Sequence, residues 1–324
     1  MRTAVKIWLT VATVLFLISG ILFVGVMTVL NWDFTKLSTT KYETNRYTLS
    51  ETFSDISIRT DTAQVELVPA EGSESTVVCY EEAKRKHEVA VEDGVLVIKV
   101  VDTRAWYEYI GIHFGKPPKL TVAIPEGAYG TLSVKGKTGD TRISSAFHFE
   151  SIAISTSTGD VTNHASALGD VTLTASTGDI LTEGIAAASL QLSVSTGKIT
   201  VSDVTCAGDL TVNVSTGNTT LTSVTCKNLR SNGDTGKLIL KNVIASEAFS
   251  VKRSTGDVTL ETCDAAELLI QTDTGDVEGT LLSDKVFLVR TDTGKTEVPS
   301  SVTGGKCEIT TDTGDIRIRI QPNT

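Results

Sequence analysis

Four Asp-Thr-Gly tripeptides, beginning at Asp234, Asp273, Asp292 and Asp312, carry the most specific chemical motif in this 324-residue chain. In an aspartic protease that tripeptide supplies a carboxylate, and two such carboxylates share one proton in a cleft between lobes. Here the aspartates return at a fixed spacing, in a slot that Ser157, Ser176, Ser195, Ser215 and Ser254 fill elsewhere. Ser and Asp both bond nearby backbone in turns. The slot therefore reads as a turn position, and protease chemistry is not expected.

The residue after each glycine also repeats: Asp140, Asp160, Asp179, Lys198, Asn218, Lys237, Asp257, Asp276, Lys295 and Asp315. Stacked at one edge, like charges repel, and the three lysines relieve that repulsion. Asp273 with Asp276, and Asp312 with Asp315, put two carboxylates at one corner, where a hard cation such as calcium is the candidate ligand. The spacing is not that of calcium-binding nonapeptide repeats. A solvated, charge-balanced edge without a cofactor is the simpler expectation.

Cys79, Cys206, Cys226, Cys263 and Cys307 form no Cys-x-x-Cys and have no neighbouring histidine at a ligand spacing, so zinc and thioredoxin-like chemistry are not expected. His87, His113, His148 and His164 share no metal-site spacing either. Cys206 and Cys226 each lie nine residues after a repeated glycine. If their units stack, the two come within disulfide range; a bond and two free thiols are both open.

The elements that position these residues follow from one pattern. Thr-Gly recurs in register with glycines at Gly139, Gly159, Gly178, Gly197, Gly217, Gly236, Gly256, Gly275, Gly294 and Gly314, at intervals of only 19 or 20 residues. So regular a period is a structural repeat. Apolar residues keep step with it: Leu190, Leu192 and Val194 precede Gly197, and Ile199, Val201 and Val204 follow it. Period-two alternation on both sides predicts two short strands per unit, each with one apolar face, joined at the glycine corner. An open meander would expose its whole apolar face, because no helical segment is available to cover it. The fold expected is therefore all-β: a β-solenoid of ten 19- to 20-residue repeats with an irregular β cap. Phe53 to Val68, around Thr62-Ala63, reads as a degenerate opening coil, as terminal units often are. Thr303-Gly304 is a copy out of register.

From Ile7 to Leu30 there is no charged residue, enough for a helix to cross a bilayer core of roughly 30 Å. Arg2 and Lys6 before it predict an N-terminus inside, and Trp8 and Trp32 read as interfacial anchors. A cleaved signal peptide competes, but its apolar region would be shorter. The organisation expected is a cytoplasmic tail over 1–6, a transmembrane helix over 7–30, a linker over 31–51, a degenerate first coil and β cap over 52–130, and solenoid repeats over 131–324. The aromatic segment from Trp106 to Tyr109, through Phe114 to Pro118, is expected to pack in the cap. The formal net charge of -10, with no basic cluster, excludes nucleic acid as a partner.

An N-terminal anchor, an opening strand pair, the hairpin turn Glu92-Asp93-Gly94, Ile124-Pro125-Glu126-Gly127 and repeated Ser-Thr-Gly-Asp-Val corners together make a familiar combination. It resembles the bacterial "putative adhesin" family of β-strand-repeat proteins, related to head-domain adhesins, over about 52–320. The resemblance implies a β-solenoid in the bacterial envelope and brings no catalytic residues. The function expected is a structural or interaction module, single-pass in the cytoplasmic membrane and displayed outside the cytoplasm, that contacts an envelope protein or glycan. The alternatives are an envelope-stress sensor acting through a membrane partner and, less favoured, a polysaccharide-active enzyme, which would need clustered carboxylates on a strand face.

Overall fold

The computed structural model describes residues 3–37, 40–106, 109 and 116–321. About 66% of the chain is strand, wound into a β-solenoid of about ten turns behind one N-terminal apolar helix. Successive coils stack as parallel strands in register, so each inward column repeats a residue class: Leu190 stands beside Leu210, Leu192 beside Val212 and Val194 beside Val214. All six are buried. Each strand contributes its apolar alternate residues to a core shared only with its neighbours, which is how an array grows without enlarging any one core.

The ten corner glycines have φ between +120° and +155°, a region that side chains resist. Close approach adds a second reason. A Cβ on Gly139 would stand 2.6 Å from the carbonyl oxygen of Ala63, and on each of the other nine it would collide with the carbonyl of the adjoining coil's glycine. The column of glycines lets the backbones nest. A second bend, six residues further on, uses a left-handed residue at Gly184, Asp203, Ser223, Asn242 and Thr262, with φ between +52° and +66°. Its residue types vary, so no motif marks it in the sequence.

Coil order follows the sequence in the middle and departs from it at both ends. At the C-terminal end the last coil, Gly305–Thr313 and Ile316–Ile320, lies between the Gly275 coil and the Gly294 coil. The Lys285–Thr293 strand, earlier in sequence, is the outermost. Thr303-Gly304 marks the re-entry. A Cβ on Gly304 would collide with the carbonyl of Asp284, and one on Gly305 with that of Ala266, so these glycines thread the chain between two coils already in place. Lys285, 3% exposed, pins the site through Asp264 at 2.7 Å. The N-terminal end repeats the device. The strands Asp55–Arg59 and Gln64–Pro69 lie between Val95–Asp102 with Lys119–Ile124 on one side and the Gly139 coil on the other. The opening coil expected over Phe53 to Val68 exists, but it is second in the stack, not terminal.

The cap is built from the strands Ser75–Glu82, Arg85–Glu92, Val95–Asp102 and Lys119–Ile124, and the second and third are joined at Asp93 and Gly94 with φ of 50° and 77°, as a tight hairpin turn requires. The segment 31–51 is not a linker throughout. Tyr42–Leu49 is a strand paired antiparallel along its length with Ser75–Glu82. Its inward positions include Asn45 beside Tyr47 and Leu49, and that polar residue hid the alternation. Trp106 and Tyr109 are 76% and 55% exposed rather than packed in the cap; Tyr107, Glu108 and Phe114 lie outside the described residues. The helix α1, Thr3–Val29, begins three residues before Lys6, the last basic flank expected to precede the span.

Candidate interaction surface and buried polar sites

Strand residues that point outward stack as regularly as those that point in. One column runs Thr172, Gln191, Thr211, Arg230, and the next runs Thr174, Ser193, Asn213, Asn232. Asn232 Nδ2 donates to Asn213 Oδ1 at 3.0 Å, so the amides order one another along the axis. Together with Ser176, Ser195, Ser215 and Asp234 the second column lines a shallow groove. Hydroxyls and amides offer donors and acceptors at each coil step, about 4.8 Å apart. That is a surface for reading a polar, extended ligand.

The aspartates after the corner glycines have a structural task that their spacing did not disclose. Asp160 Oδ1 accepts from the N–H of Asp179 at 2.8 Å, Asp179 Oδ1 from Lys198 at 2.9 Å, and Asp276 Oδ1 from Asp315 at 2.7 Å. Asn218 does the same for Lys237 at 2.9 Å, which explains why Asp and Asn share the slot. Lys198 and Lys237 also pair with Asp179 and Asp257 at 3.2 and 3.0 Å, and Lys237 holds the Asp257 carboxyl below its ordinary range. Because an amide oxygen accepts equally well, Asp276→Asn is expected to change stability by less than about 0.5 kcal/mol. Asp276→Ala strands the Asp315 N–H and is expected to cost about 1 kcal/mol in thermal melting.

Asp273 stacks beside Asp312, and Asp312 beside Asp292, since Thr272 and Thr274 pair with Thr311 and Thr313, which pair in turn with Thr291 and Thr293. The calcium candidates Asp273, Asp276, Asp312 and Asp315 thus occupy two neighbouring columns of adjacent coils. They do not converge as a set of three ligand atoms. Among the described residues, the group of three that does so, within 4.8 Å, is Cys79, Glu81 and His87.

Cys206 and Cys226 stand in adjacent coils, as stacking predicts, and remain free thiols, like the other three cysteines. Cys206 Sγ lies 3.4 Å from Ala188 O and 3.3 Å from Asp209 O. Burial pushes the Cys226 and Cys307 thiols up to about 12 and Cys263 to about 11. Burial pushes the Cys79 thiol up to about 12 likewise, and thiols so disfavoured as thiolates are inert unless a metal ion displaces the proton.

Two buried polar clusters escaped the sequence reading. In the first, Glu81, 1% exposed, accepts from the His87 N–H at 2.6 Å, and its Oε2 lies 2.7 Å from His87 Nδ1. Cys79 and Glu81 alternate onto one face of a strand, and the turn at 83–84 returns His87 to them. That i, i+2 pair facing a histidine across a hairpin was the available signal. In the second, Arg253 is 1% exposed among aliphatic columns. Its Nη2 donates to Ser231 Oγ at 3.0 Å and Thr219 Oγ1 at 3.2 Å, while Nε and Nη1 have no partner among the described residues. Gly233 makes the room: a Cβ there would collide with Nη1. Burial lowers the guanidinium pKa to about 10. Removing unpaired buried donors relieves roughly 1–3 kcal/mol each, so Arg253→Met is expected to raise the urea midpoint.

A stacked β-repeat with ordered polar outer columns defines a class: an all-β interaction or structural module. The chain matches the Toastrack DUF4097 family model over residues 53–211 and again over 198–324, and it belongs to that family. Among solved structures it is similar to a "putative adhesin" from Bacteroides fragilis NCTC 9343, with 13% identity over 87% of this chain and 97% of that one, at a TM-score of 0.41. A "putative lipid binding protein" from Parabacteroides distasonis ATCC 8503 shares 13% identity over 87% and 98% of the two chains, at 0.45. A "putative adhesin" from the same strain gives 12%, 86%, 98% and 0.40. No curated protein gives a significant match.

Proposed function

We propose that this chain is a non-enzymatic interaction module of the bacterial cell envelope. In this reading α1 holds it in the cytoplasmic membrane with the N-terminus inside, and the solenoid, outside the cytoplasm, engages an envelope glycan or protein through its outward columns. The observation that carries the reading is the repetition of Thr172, Gln191 and Thr211 beside Thr174, Ser193, Asn213 and Asn232. Each coil offers the same weak contacts one step further along, and repetition supplies avidity. Anchoring is supported by the 25-residue span Val5–Val29, with mean hydropathy 2.5 and none of its most apolar window buried against the rest of the chain. Arg2 and Lys6 support the orientation.

The test joins two measurements. Protease added to intact, wall-stripped cells should degrade the solenoid while leaving cytoplasmic markers whole; protection of the solenoid would overturn the topology. Full-length protein in detergent should then co-sediment with purified cell-wall glycan or cross-link to an envelope protein. The triple variant Thr174→Ala, Ser193→Ala, Asn213→Ala should lose most of that binding at an unchanged melting temperature; full retention would dismiss this face. Melting of metal-stripped protein with and without millimolar calcium should coincide, and a large calcium-dependent rise would move the site to Asp273, Asp276, Asp312 and Asp315. The unpartnered apolar faces of α1 favour a second reading, a stress sensor coupled through a membrane partner, which co-purification dependent on α1 would support.

A further inference from the structure

We propose that the cap binds one divalent transition-metal ion of the zinc class through Cys79 Sγ, Glu81 Oε2 and His87 Nδ1. The three ligand atoms lie within 4.8 Å of one another. Their residues are 0%, 1% and 4% exposed, in a region where every other inward position of the Ser75–Glu82 strand is apolar or small. A carboxylate and an imidazole buried there, next to a thiol, call for a reason beyond packing.

The outward-facing atoms of the two polar ligands are already held. His87 Nε2 lies 3.1 Å from Thr60 Oγ1, and Glu81 Oε1 accepts from Asn45 Nδ2 at 2.8 Å. Nδ1 and Oε2 are thereby turned towards each other and towards Cys79. Metal sites are built this way, with a second partner fixing the tautomer and orientation of each ligand. Tetrahedral zinc, with bonds of about 2.0–2.3 Å, separates its ligand atoms by roughly 3.3–3.8 Å. The Nδ1 to Oε2 distance of 2.7 Å must therefore open by roughly 0.6 Å, within reach of a rotation of either side chain.

Charge and softness select the ion. On binding, Cys79 releases its proton to solvent and His87 ligates as neutral imidazole with its proton on Nε2, where Thr60 Oγ1 accepts it. One thiolate and one carboxylate then neutralise the divalent charge, so the buried site carries none. A thiolate and an imidazole favour zinc, cobalt or copper over calcium and magnesium. A narrow cleft lined by Thr60, Asp61, Glu81, Glu82 and His87 reaches two of the three ligand residues. Asn45 belongs to the Tyr42–Leu49 strand, His87 to the hairpin and Thr60 to the inserted coil, so the ion would tie three separately threaded pieces together.

The experiment uses the full chain in detergent, titrated with Co(II) alone. A saturable near-UV thiolate-to-cobalt charge-transfer band at one equivalent is expected, displaced by Zn(II), with a zinc-dependent rise in melting temperature that calcium does not reproduce. Cys79→Ser should abolish the band, whereas Cys226→Ser should keep it. Thr60→Val should keep the band but weaken zinc by about 10- to 100-fold, as loss of such a supporting bond does. If Cys79→Ser fails to fold, the isosteric Glu81→Gln takes its place, with zinc affinity expected to fall at least tenfold. Absence of a saturable band in the wild-type chain, or a band that survives Cys79→Ser, would overturn the proposal.

Discussion

Gly217→Ala is expected to destabilise the middle of the solenoid by about 2–6 kcal/mol, from a forced left-handed backbone and from overpacking, each worth roughly 1–3 kcal/mol. Gly217 has φ +143°, and its Cβ would be driven into the carbonyl of Gly197. The obstruction is backbone on a neighbouring coil, which is itself nested on Gly178, so no side chain can swing aside. Relief requires two coils to part and gives up their ladder of hydrogen bonds. Urea denaturation followed by circular dichroism measures the cost. Gly72→Ala is the control, because a Cβ there meets nothing within 4 Å, and it should stay within about 1 kcal/mol of wild type. Equal effects at both positions would show that the corner carries no special constraint.

Deleting the last coil, residues 305–324, is expected to unfold two coils rather than one. In an array stacked in sequence order the preceding unit would survive the loss of its neighbour. Here, among the described residues, the Lys285–Thr293 and Thr296–Glu297 strands pair only with the deleted ones. The orphaned coil has little with which to re-dock: its second strand is two residues long, and Phe287 and Val289 are only half buried even when paired. Amide exchange over 285–297 should therefore change from protected to unfolded-like, while protection in the Gly217 and Gly236 coils persists. Retained protection over 285–297 would mean that the strand restacks on the Gly275 coil. The same geometry bears on fraying. Each terminal segment of the solenoid is held between two neighbours, so the array cannot unravel from a chain end one coil at a time.

Several features were legible without coordinates because a local rule enforces each. The 19- to 20-residue return of Thr-Gly gave the corner, since only glycine tolerates that φ. Alternation of Leu190, Leu192 and Val194 with polar neighbours gave the strand and its buried face. Asp93-Gly94 gave the hairpin turn. The second bend was not legible, because Asp203, Ser223, Asn242 and Thr262 share a conformation and no residue type. Nor was the Tyr42–Leu49 strand, whose inward Asn45 serves Glu81 rather than the core.

By itself, then, the sequence determined the unit: two strands, a glycine corner, one apolar lining and one polar surface, each dictated by residues within a single coil. The order in which units stack was decided only in three dimensions. Coils bind one another through backbone hydrogen bonds and interchangeable aliphatic columns, so one edge is nearly as good as the next. Position is chosen by connector length and by a few particular residues, among them Gly304, Gly305 and the Lys285–Asp264 pair. The meeting of Asn45, Thr60, Cys79, Glu81 and His87 has the same origin. Cys79, Glu81 and His87 share one hairpin and Asn45 comes from the strand paired with it, but only the insertion of the Asp55–Arg59 coil beneath the cap brings Thr60 within bonding distance of His87.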